Sequence, residues 1–154
     1  MKSKDKIKVR QGRTEDLEFL VEHNLQIALE TESKELDRDV LRQGVQRALA
    51  QSDSCIYFVA EIEGKPVGQT MITFEWSDWR DGWIWWLQSV YVLSDYRNRG
   101  IFRMIYQHIK STAHKDNNVR GLRLYVKGTN FSGISVYEKL GMNSSGYLVY
   151  EEEW

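Results

Sequence analysis

The segment between residues 83 and 127 constrains the fold of this chain more than any other. Residues 83–92 are apolar enough to form a central strand, and residues 122–127 alternate apolar and polar side chains as a second strand does. A helix is predicted between them, over residues 100–117, and two strands joined by a helix of this length pair in parallel. We therefore expect a mixed α/β sheet with these two strands as parallel neighbours. The apolar stripe of the helix consists of Phe102, Ile105, Ile109 and Ala113.

The rest of the chain completes an alternating order of strands and helices. A short strand is predicted at residues 7–10, and two helices follow it, with Thr14 and Asp37 as candidate N-caps. The order β-αα-βββ-α-β-α-β predicts a single-domain α/β fold over residues 1–154. The remaining predicted elements are strands at 55–62, 66–76 and 147–151, a helix at 131–140, and turns at 63–64 and 78–82.

Composition excludes several classes of protein. The net charge is −1, so the chain has no overall positive field for nucleic acid or an anionic membrane. The one cysteine, Cys55, rules out an intrachain disulfide, and no metal-ligand spacing connects the three histidines. No apolar run approaches the roughly 20 residues of a membrane span, and the charged first ten residues contain no apolar signal core. We expect a cytoplasmic protein that uses no metal.

A polar turn between strand and helix, at residues 93–100, is the first candidate binding site. The first N–H groups of a helix have no partner within it, and together with the helix dipole they bind anions. Gly100 lets a phosphate approach the backbone closely. Arg97, Arg99 and Arg103 add positive charge in a forked form that suits phosphate. The pattern predicts a phosphate site, with an ordinary turn bearing solvated arginines as the alternative.

Two segments in this half of the chain carry a family resemblance. Residues 97–102, Arg-Asn-Arg-Gly-Ile-Phe, resemble the Arg/Gln-x-x-Gly-x-Gly/Ala signature of the GCN5-related N-acetyltransferase (GNAT) superfamily. Residues 130–133, Asn-Phe-Ser-Gly, and residues 137–142, Tyr-Glu-Lys-Leu-Gly-Met, resemble the second cofactor motif of that family, Asn-x-x-Ala followed by Tyr-x-x-x-Gly-Phe. The predicted order of elements is also similar to the family fold, so the resemblance extends from Ile7 to Glu152.

The resemblance implies acetyl-coenzyme A as the co-substrate and suggests which residues bind it. The backbone at residues 90–92 would face the pantetheine arm, and the amides of residues 98–103 would hold the pyrophosphate. Asn130 would hydrogen-bond the cofactor, although its residue type equally suits a cap of the following helix. The implied cofactor residues are Val90, Tyr91, Val92, Arg97, Asn98, Arg99, Gly100, Ile101, Phe102, Arg103, Asn130 and Tyr137. Three residues depart from the family pattern. Ser94 stands where the family often has Pro, Phe102 where it usually has Gly or Ala, and Gly133 where it usually has Ala.

The resemblance also implies a chemical role for Tyr137 and leaves the base open. Tyr137 matches the family tyrosine near the thioester sulfur, where it would protonate the leaving thiolate as general acid; core packing is the alternative. Many family members have a carboxylate base at the position of Gln88, which cannot accept a proton but can orient water or substrate. Glu75 on the preceding strand is the candidate base, with a solvated rim carboxylate as the alternative. Glu30 and Glu32 lie where the family builds its acceptor wall, and they are candidate substrate contacts.

A tryptophan-rich hairpin at residues 74–86 is the remaining unusual feature. Trp76 and Trp79 lie near its loop, with acidic residues beside them. Such a group can bind a cationic amine by charge and by cation–π attraction, whereas packing within the hairpin is the alternative explanation. The acidic residues are Glu75, Asp78 and Asp81.

These observations predict an enzyme that moves an acetyl group from acetyl-CoA to a primary amine of a small molecule or peptide by direct attack. A non-catalytic acyl-CoA-binding sensor on the same fold is the alternative, and Gln88 favours it. A module that stacks single-stranded nucleic acid on its aromatic residues is a third hypothesis, which the near-zero net charge disfavours. We expect no nucleic-acid or membrane partner, and a homodimer stays open.

Overall fold

A computed structural model describes residues 6–154 of the chain. The chain divides into a first unit that ends at Leu124 and a second unit, Tyr125–Trp154. The predicted single domain over residues 1–154 stays a prediction, and residues 1–5 lie outside the described range. The elements of the first unit are β1 (Ile7–Gln11), α1 (Leu17–Glu32), α2 (Arg38–Ala50), β2 (Cys55–Ile62), β3 (Lys65–Ser77), β4 (Gly82–Val92), α3 (Ile101–Lys115) and β5 (Val119–Leu124). The second unit contains α4 (Phe131–Lys139).

Within the described residues, the strands form one five-stranded sheet in the order β1-β2-β3-β4-β5. The first four are antiparallel neighbours, whereas β4 and β5 are parallel, with Leu87 opposite Leu124. The mixed α/β class and the predicted parallel crossover are therefore confirmed. The strand predicted at residues 122–127 instead spans Val119–Leu124, because its register is set by pairing along β4 and not by its own alternation.

Helices cover both faces of this sheet. On one face α1 and α2 pack on β2, and the buried cluster there is Leu20, Val21, Val45, Tyr57 and Val59. On the other face His108 of α3 contacts Phe58, with ring centroids 5.6 Å apart. Neighbouring side chains of a strand point to opposite faces of the sheet, so Phe58 points to the face away from Tyr57. Helix α3 therefore covers the face that α1 and α2 leave open.

The start of α3 lies directly on β3 because Gly68 has no side chain. A Cβ at Gly68 would lie 3.1 Å from Ile101 Cγ2 and 3.3 Å from the Tyr91 carbonyl oxygen, closer than ordinary van der Waals contact. Ile101 and Ile105 are accordingly buried to 2% and 0% exposure. This close approach brings the first turn of α3, together with the polar turn before it, onto strands β3 and β4.

An ion-pair network joins β1 to the turn after it. Arg10 donates from Nη1 and Nη2 to the two carboxylate oxygens of Asp16 at 2.8 and 2.9 Å, and from Nε to Glu61 at 2.8 Å. Asp16 Oδ2 also accepts from the backbone N–H of Arg13 at 2.7 Å. Burial would raise the pKa of Asp16, but the hydrogen bonds from Arg10 and Arg13 outweigh it and hold that pKa below its ordinary value. Asp16 is therefore an anion in the folded protein.

The second unit differs from the sequence prediction at its end. Helix α4 ends at Lys139, one residue before the predicted end. The predicted strand at residues 147–151 is wrong, because residues 142–154 contain no helix or strand. The run Tyr-Leu-Val-Tyr at residues 147–150 has high β propensity, but a strand forms only where another strand pairs with it. Local sequence does not supply that partner.

Candidate active site

Strand β4 contains a bulge near its C-terminal end. Gln69 of β3 is opposite Tyr91, whereas Met71, two residues further along β3, is opposite Gln88. One residue of β3 therefore faces residues 89–90 of β4, which is the two-against-one count of a β-bulge. Bulges are common next to active sites because they re-aim the backbone groups and side chains around them.

Two buried polar side chains of β3 hold this bulge. Thr70 Oγ1 donates to the Gln88 carbonyl at 2.9 Å, and Gln69 Nε2 donates to the Ser89 carbonyl at 3.1 Å. Both β3 side chains have 0% exposure, and Ser89 takes a left-handed φ of 50°. Apolar residues would leave the two carbonyls without these donors. The bulge was not predicted from the sequence, although the consecutive polar pair Gln69-Thr70 within the buried part of β3 signals it.

The turn after β4 leads directly into the first N–H groups of α3. After a short 3₁₀ turn at Ser94–Tyr96, Asn98 and Gly100 take left-handed φ values of 61° and 77°. The first helical hydrogen bond of α3 runs from the Met104 N–H to the Gly100 carbonyl at 3.1 Å. The N–H groups of residues 101–103 precede that bond and have no partner inside the helix. This is the backbone conformation that an anion site at the turn requires.

Arg97 is held by three groups that frame the turn. Its Nε donates to the Val92 carbonyl at 2.9 Å and its Nη2 to Glu30 Oε2 at 2.8 Å. The guanidinium lies 5.2 Å from the ring centroid of Tyr91, whose hydroxyl donates to Glu30 Oε1 at 3.1 Å. Burial, and then the hydrogen bond to Glu30, raise the pKa of Tyr91. A residue predicted for the cofactor, Arg97, and one predicted for the acceptor wall, Glu30, are thus direct partners.

Further positive charge lies on the same turn. The Arg99 guanidinium is 5.1 Å from the ring centroid of Tyr96, and Lys65 Nζ is 5.6 Å from the same ring. Lys65 was not predicted as part of the site, because it lies at the start of β3, far from the turn in sequence. Phe102, the departure from the family pattern, has its ring centroid 6.3 Å from that of Tyr106 and is half-buried.

A buried histidine lies behind Tyr91. The His23 ring of α1 is 4% exposed, and its centroid is 3.7 Å from that of Phe19 and 4.9 Å from that of Tyr91. Its Nδ1 has no hydrogen-bond partner among the described residues. Burial lowers the pKa of His23 to about 4, so the ring is neutral at pH 7.

Gln88 and Glu75 share one face of the sheet with partners that our sequence analysis missed. Gln88 Nε2 donates to Thr73 Oγ1 at 2.6 Å. Glu75 Oε2 accepts from Arg123 Nη1 at 2.8 Å and from Trp86 Nε1 at 3.4 Å, and the Arg123 guanidinium lies 5.9 Å from a Trp86 ring centroid. These contacts depend on cross-strand register, since Trp86 is opposite both Thr73 and Arg123. The candidate base is therefore ion-paired.

The predicted aromatic pocket is not assembled around Glu75. Trp76 follows Glu75 on β3 and points to the opposite face, where its ring packs edge to face on Trp83 at 5.0 Å between centroids. Trp79 lies in the 3₁₀ turn Asp78–Arg80 and is 88% exposed. Glu32, the last residue of α1, is also exposed. The contacts of Trp76 match the hairpin-packing alternative.

In the second unit, Asn130 caps α4. Its Oδ1 accepts from the Gly133 N–H at 3.0 Å, and a Cβ at residue 133 would lie 2.6 Å from Asn130 Nδ2. Gly133, where the family usually has Ala, therefore fits the capping side chain. Tyr137 lies on the same helix and is half-buried, and burial raises the pKa of its hydroxyl. The capping alternative for Asn130 is thus observed, and it is compatible with a cofactor contact.

Neither a metal-binding cluster nor a membrane-spanning helix is found within residues 6–154. No group of three or more His, Cys, Asp or Glu side chains in this range is arranged to hold a metal ion. Within the same range, no helix has both the length and the apolar character needed to cross a membrane.

The mixed sheet in which a bulged strand leads through a turn into a helix matches the fold of acetyltransferase structures. The model of the acetyltransferase (GNAT) family matches residues 17–142. A possible acetyltransferase from Clostridium difficile 630 is similar in structure with 43% identity and a TM-score of 0.90, over 96% of this chain and 97% of that one. This chain belongs to the GNAT acetyltransferase family.

More distant structures share the fold alone. Ribosomal-protein-alanine N-acetyltransferase from Brucella melitensis biovar Abortus 2308 is 14% identical, with a TM-score of 0.78 over 97% of this chain and 99% of that one. AAC(6')-Iy, in complex with the bisubstrate analog CoA-S-monomethyl-acetylneamine, is 16% identical, with a TM-score of 0.75 over 97% and 99% of the two chains. No curated protein matches the chain.

Proposed function

We propose that the chain transfers an acetyl group from acetyl-CoA to a primary amine of a small molecule or peptide. The observation that carries the proposal is the turn after β4, where the first N–H groups of α3, which have no acceptor within the helix itself, come together with Arg97, Arg99 and Arg103. The relatives support it by name, since one binds a CoA-containing bisubstrate analog and another is a ribosomal-protein-alanine N-acetyltransferase. The cytoplasmic location expected from the sequence stays a prediction.

The residues present suit the phosphates and the arm of this co-substrate. The amides of residues 98–103 would hold the pyrophosphate, and forked arginines would neutralise it. Val90 lies in the bulge, and Tyr91 and Val92 pair again with β3 after it. The pairing of β4 with β5 ends at Leu87, so the β5 edge of residues 90–92 can pair with pantetheine amides. Asn130 is proposed as a further contact, in addition to its capping bond.

The proposed chemistry is direct attack. The neutral amine nitrogen bonds to the thioester carbonyl carbon, the carbon–sulfur bond breaks, and the sulfur leaves as a thiolate. The nitrogen gives up one proton to a base, and the Tyr137 hydroxyl gives its proton to the thiolate. The products are an N-acetylated amine and free CoA thiol. The raised pKa of Tyr137 supports this role, because the hydroxyl stays protonated at neutral pH.

Glu75 is proposed to accept the amine proton. Its Oε2 is engaged by Arg123 and Trp86, so Oε1 is the oxygen that would act, directly or through water. Gln88, held by Thr73, would orient the water or the amine. Glu32, Trp76 and Trp79 stay proposed acceptor contacts, for an acceptor large enough to extend over the exposed hairpin.

A non-catalytic acyl-CoA sensor is the second candidate. The observation in its favour is that the usual carboxylate position holds Gln88, while the nearby Glu75 is ion-paired. Release of free thiol from acetyl-CoA in the presence of cationic, neutral and peptide amines tests both. Amine-dependent thiol release with an acetylated product of matching mass supports the transferase. Acetyl-CoA binding without such release, across the panel, supports the sensor.

A further inference from the structure

The carboxylate of Glu30 joins the end of α1 to the cofactor turn. Its two oxygens have different partners, the Tyr91 hydroxyl at 3.1 Å and Arg97 Nη2 at 2.8 Å. Glu30 lies two residues before the end of α1, and Arg97 lies in the turn between β4 and α3. One side chain therefore connects a helix to both the bulged strand and the turn.

The three-way contact restricts Arg97 without using all of its donors. Val92 takes Nε and Glu30 takes Nη2, while the face of the guanidinium lies 5.2 Å from the Tyr91 ring centroid. The two hydrogen bonds that fix the guanidinium therefore come from Nε and Nη2. A guanidinium fixed at two nitrogens and over a ring keeps its plane, so its remaining N–H groups have a constant direction.

We infer that Glu30 is a positioning residue for acetyl-CoA, acting through Arg97. This inference rests on the proposed function for the identity of the ligand. An arginine that is ordered before the pyrophosphate arrives loses less conformational freedom on binding than a free one. Glu30 thereby raises the affinity for donors that carry a pyrophosphate.

Glu30→Ala tests the inference in a binding measurement that needs no turnover. We expect the calorimetric Kd for acetyl-CoA to rise by up to about tenfold, because an arginine without this partner has to be ordered when the pyrophosphate binds. The pair is partly exposed, so the effect should not be larger. Glu30→Gln keeps the shape and an acceptor oxygen, so its Kd for acetyl-CoA should lie between those of the parent and of Glu30→Ala. The matched control is Glu22→Ala, which removes a carboxylate from the same helix and an exposed ion pair with Arg38. Its Kd should stay within twofold of the parent.

A donor without a pyrophosphate separates positioning from general damage to the fold. With S-acetylpantetheine, Glu30→Ala should have the same kcat/KM as the parent, while its kcat/KM for acetyl-CoA falls by the factor seen in Kd. An equal loss with both donors, accompanied by a lower Tm, would overturn the inference in favour of a structural role. A rise in the acceptor KM alone would overturn it in favour of the acceptor wall.

The double variant Glu30→Ala/Arg97→Ala tests the route of the effect. If Glu30 acts through Arg97, the double variant binds acetyl-CoA no more weakly than Arg97→Ala does, and fully additive losses would contradict that route. A parent that binds acetyl-CoA but transfers nothing removes the proposed function and leaves this inference intact. If the parent transfers acetyl groups but Glu30→Ala has an unchanged Kd for acetyl-CoA, the proposed function stands and this inference is overturned.

Discussion

The ring of His23 packs 4.9 Å from the ring of Tyr91, directly behind the strand that carries the bulge. The contact buries an imidazole whose Nδ1 has no partner among the described residues, and burial lowers the pKa of His23 to about 4. A neutral ring is therefore part of the folded state, and its protonation opposes folding.

We predict a stability loss in mild acid that depends on His23. The folded pKa of about 4 is below the unfolded value of 6.5, so the stability is complete above pH 6.5 and is lost as the pH falls towards 4. The free energy of unfolding should decrease by up to about 1.4 kcal/mol per pH unit in that window. Urea unfolding of the parent and of His23→Leu from pH 7.5 to 4.5 measures it. The variant should lack this slope, whereas His114→Gln, which changes an exposed histidine, should retain it.

A second prediction concerns the Arg10–Asp16 pair, whose side chains are 14% and 5% exposed. Asp16→Ala leaves the largely buried guanidinium with Glu61 as its remaining carboxylate partner, so the free energy of unfolding should drop by about 3 kcal/mol, at the lower end for a broken buried pair. Glu18→Ala, which breaks an exposed pair with Arg42, should cost less than about 1 kcal/mol. Denaturant unfolding at pH 7 compares the two, and equal losses would contradict the burial argument.

The Arg10–Asp16 pair also predicts a separate loss of folding stability at lower pH. The folded pKa of Asp16 is lower than its unfolded value of 3.8, so its contribution is present above pH 3.8 and is lost as the pH falls further. This window lies below that of His23. Acid unfolding of His23→Leu should therefore still show a loss below pH 3.8, and Asp16→Ala should weaken that loss.

A third prediction addresses the bulge. Thr70→Val keeps the shape of a fully buried side chain but removes the donor to the Gln88 carbonyl, so unfolding should become easier by about 1–3 kcal/mol. If the bulge shapes the donor site, the Kd for acetyl-CoA should rise as well. Thermal unfolding and calorimetry measure the two effects. Thr112→Val, which removes the hydroxyl bond to the His108 carbonyl on α3, is the control and should leave the Kd unchanged.

The outline of the fold was predictable because local patterns specify it. A continuous apolar run predicted the strand at residues 55–62 to the residue, and helical spacing located α3. The prediction failed at residues 147–151, where strand formation depends on a partner and not on composition. It also misplaced β5, whose ends are set by its register on β4.

The candidate site was predictable only where it consists of backbone. The turn was located from the sequence at residues 97–102, and Asn98 and Gly100 take left-handed φ values there. The pairings Glu30 with Arg97 and Glu75 with Arg123 join residues 67 and 48 positions apart, and such contacts arise from the packing of whole elements. Trp76 illustrates the converse, because strand alternation alone separates it from Glu75.

A fourth prediction tests Glu75 as the base. Glu75→Gln keeps the size of the side chain but cannot accept the amine proton, so kcat should fall at least about 100-fold with little change in the Kd for acetyl-CoA. Arg123→Gln keeps the carboxylate and removes its ion pair, so it should affect kcat far less. Steady-state thiol release at saturating acetyl-CoA measures both. A change of less than twofold in Glu75→Gln would make Glu75 a rim carboxylate.

The last prediction concerns Tyr137 as the general acid. Tyr137→Phe removes only the hydroxyl, so turnover should drop by about 100-fold or more, while the Kd for acetyl-CoA changes little. Because burial raises the pKa of Tyr137 above its ordinary value near 10, the parent should keep its activity through neutral and mildly alkaline pH and lose it only as the hydroxyl ionises. Tyr147→Phe, at an exposed tyrosine of the same unit, is the matched control and should behave as the parent. Single-turnover thiol release from pH 6 to 10 measures the profile, which should show no loss from ionisation of Tyr137 within that range. Unchanged turnover in Tyr137→Phe would assign the proton to water and Tyr137 to packing.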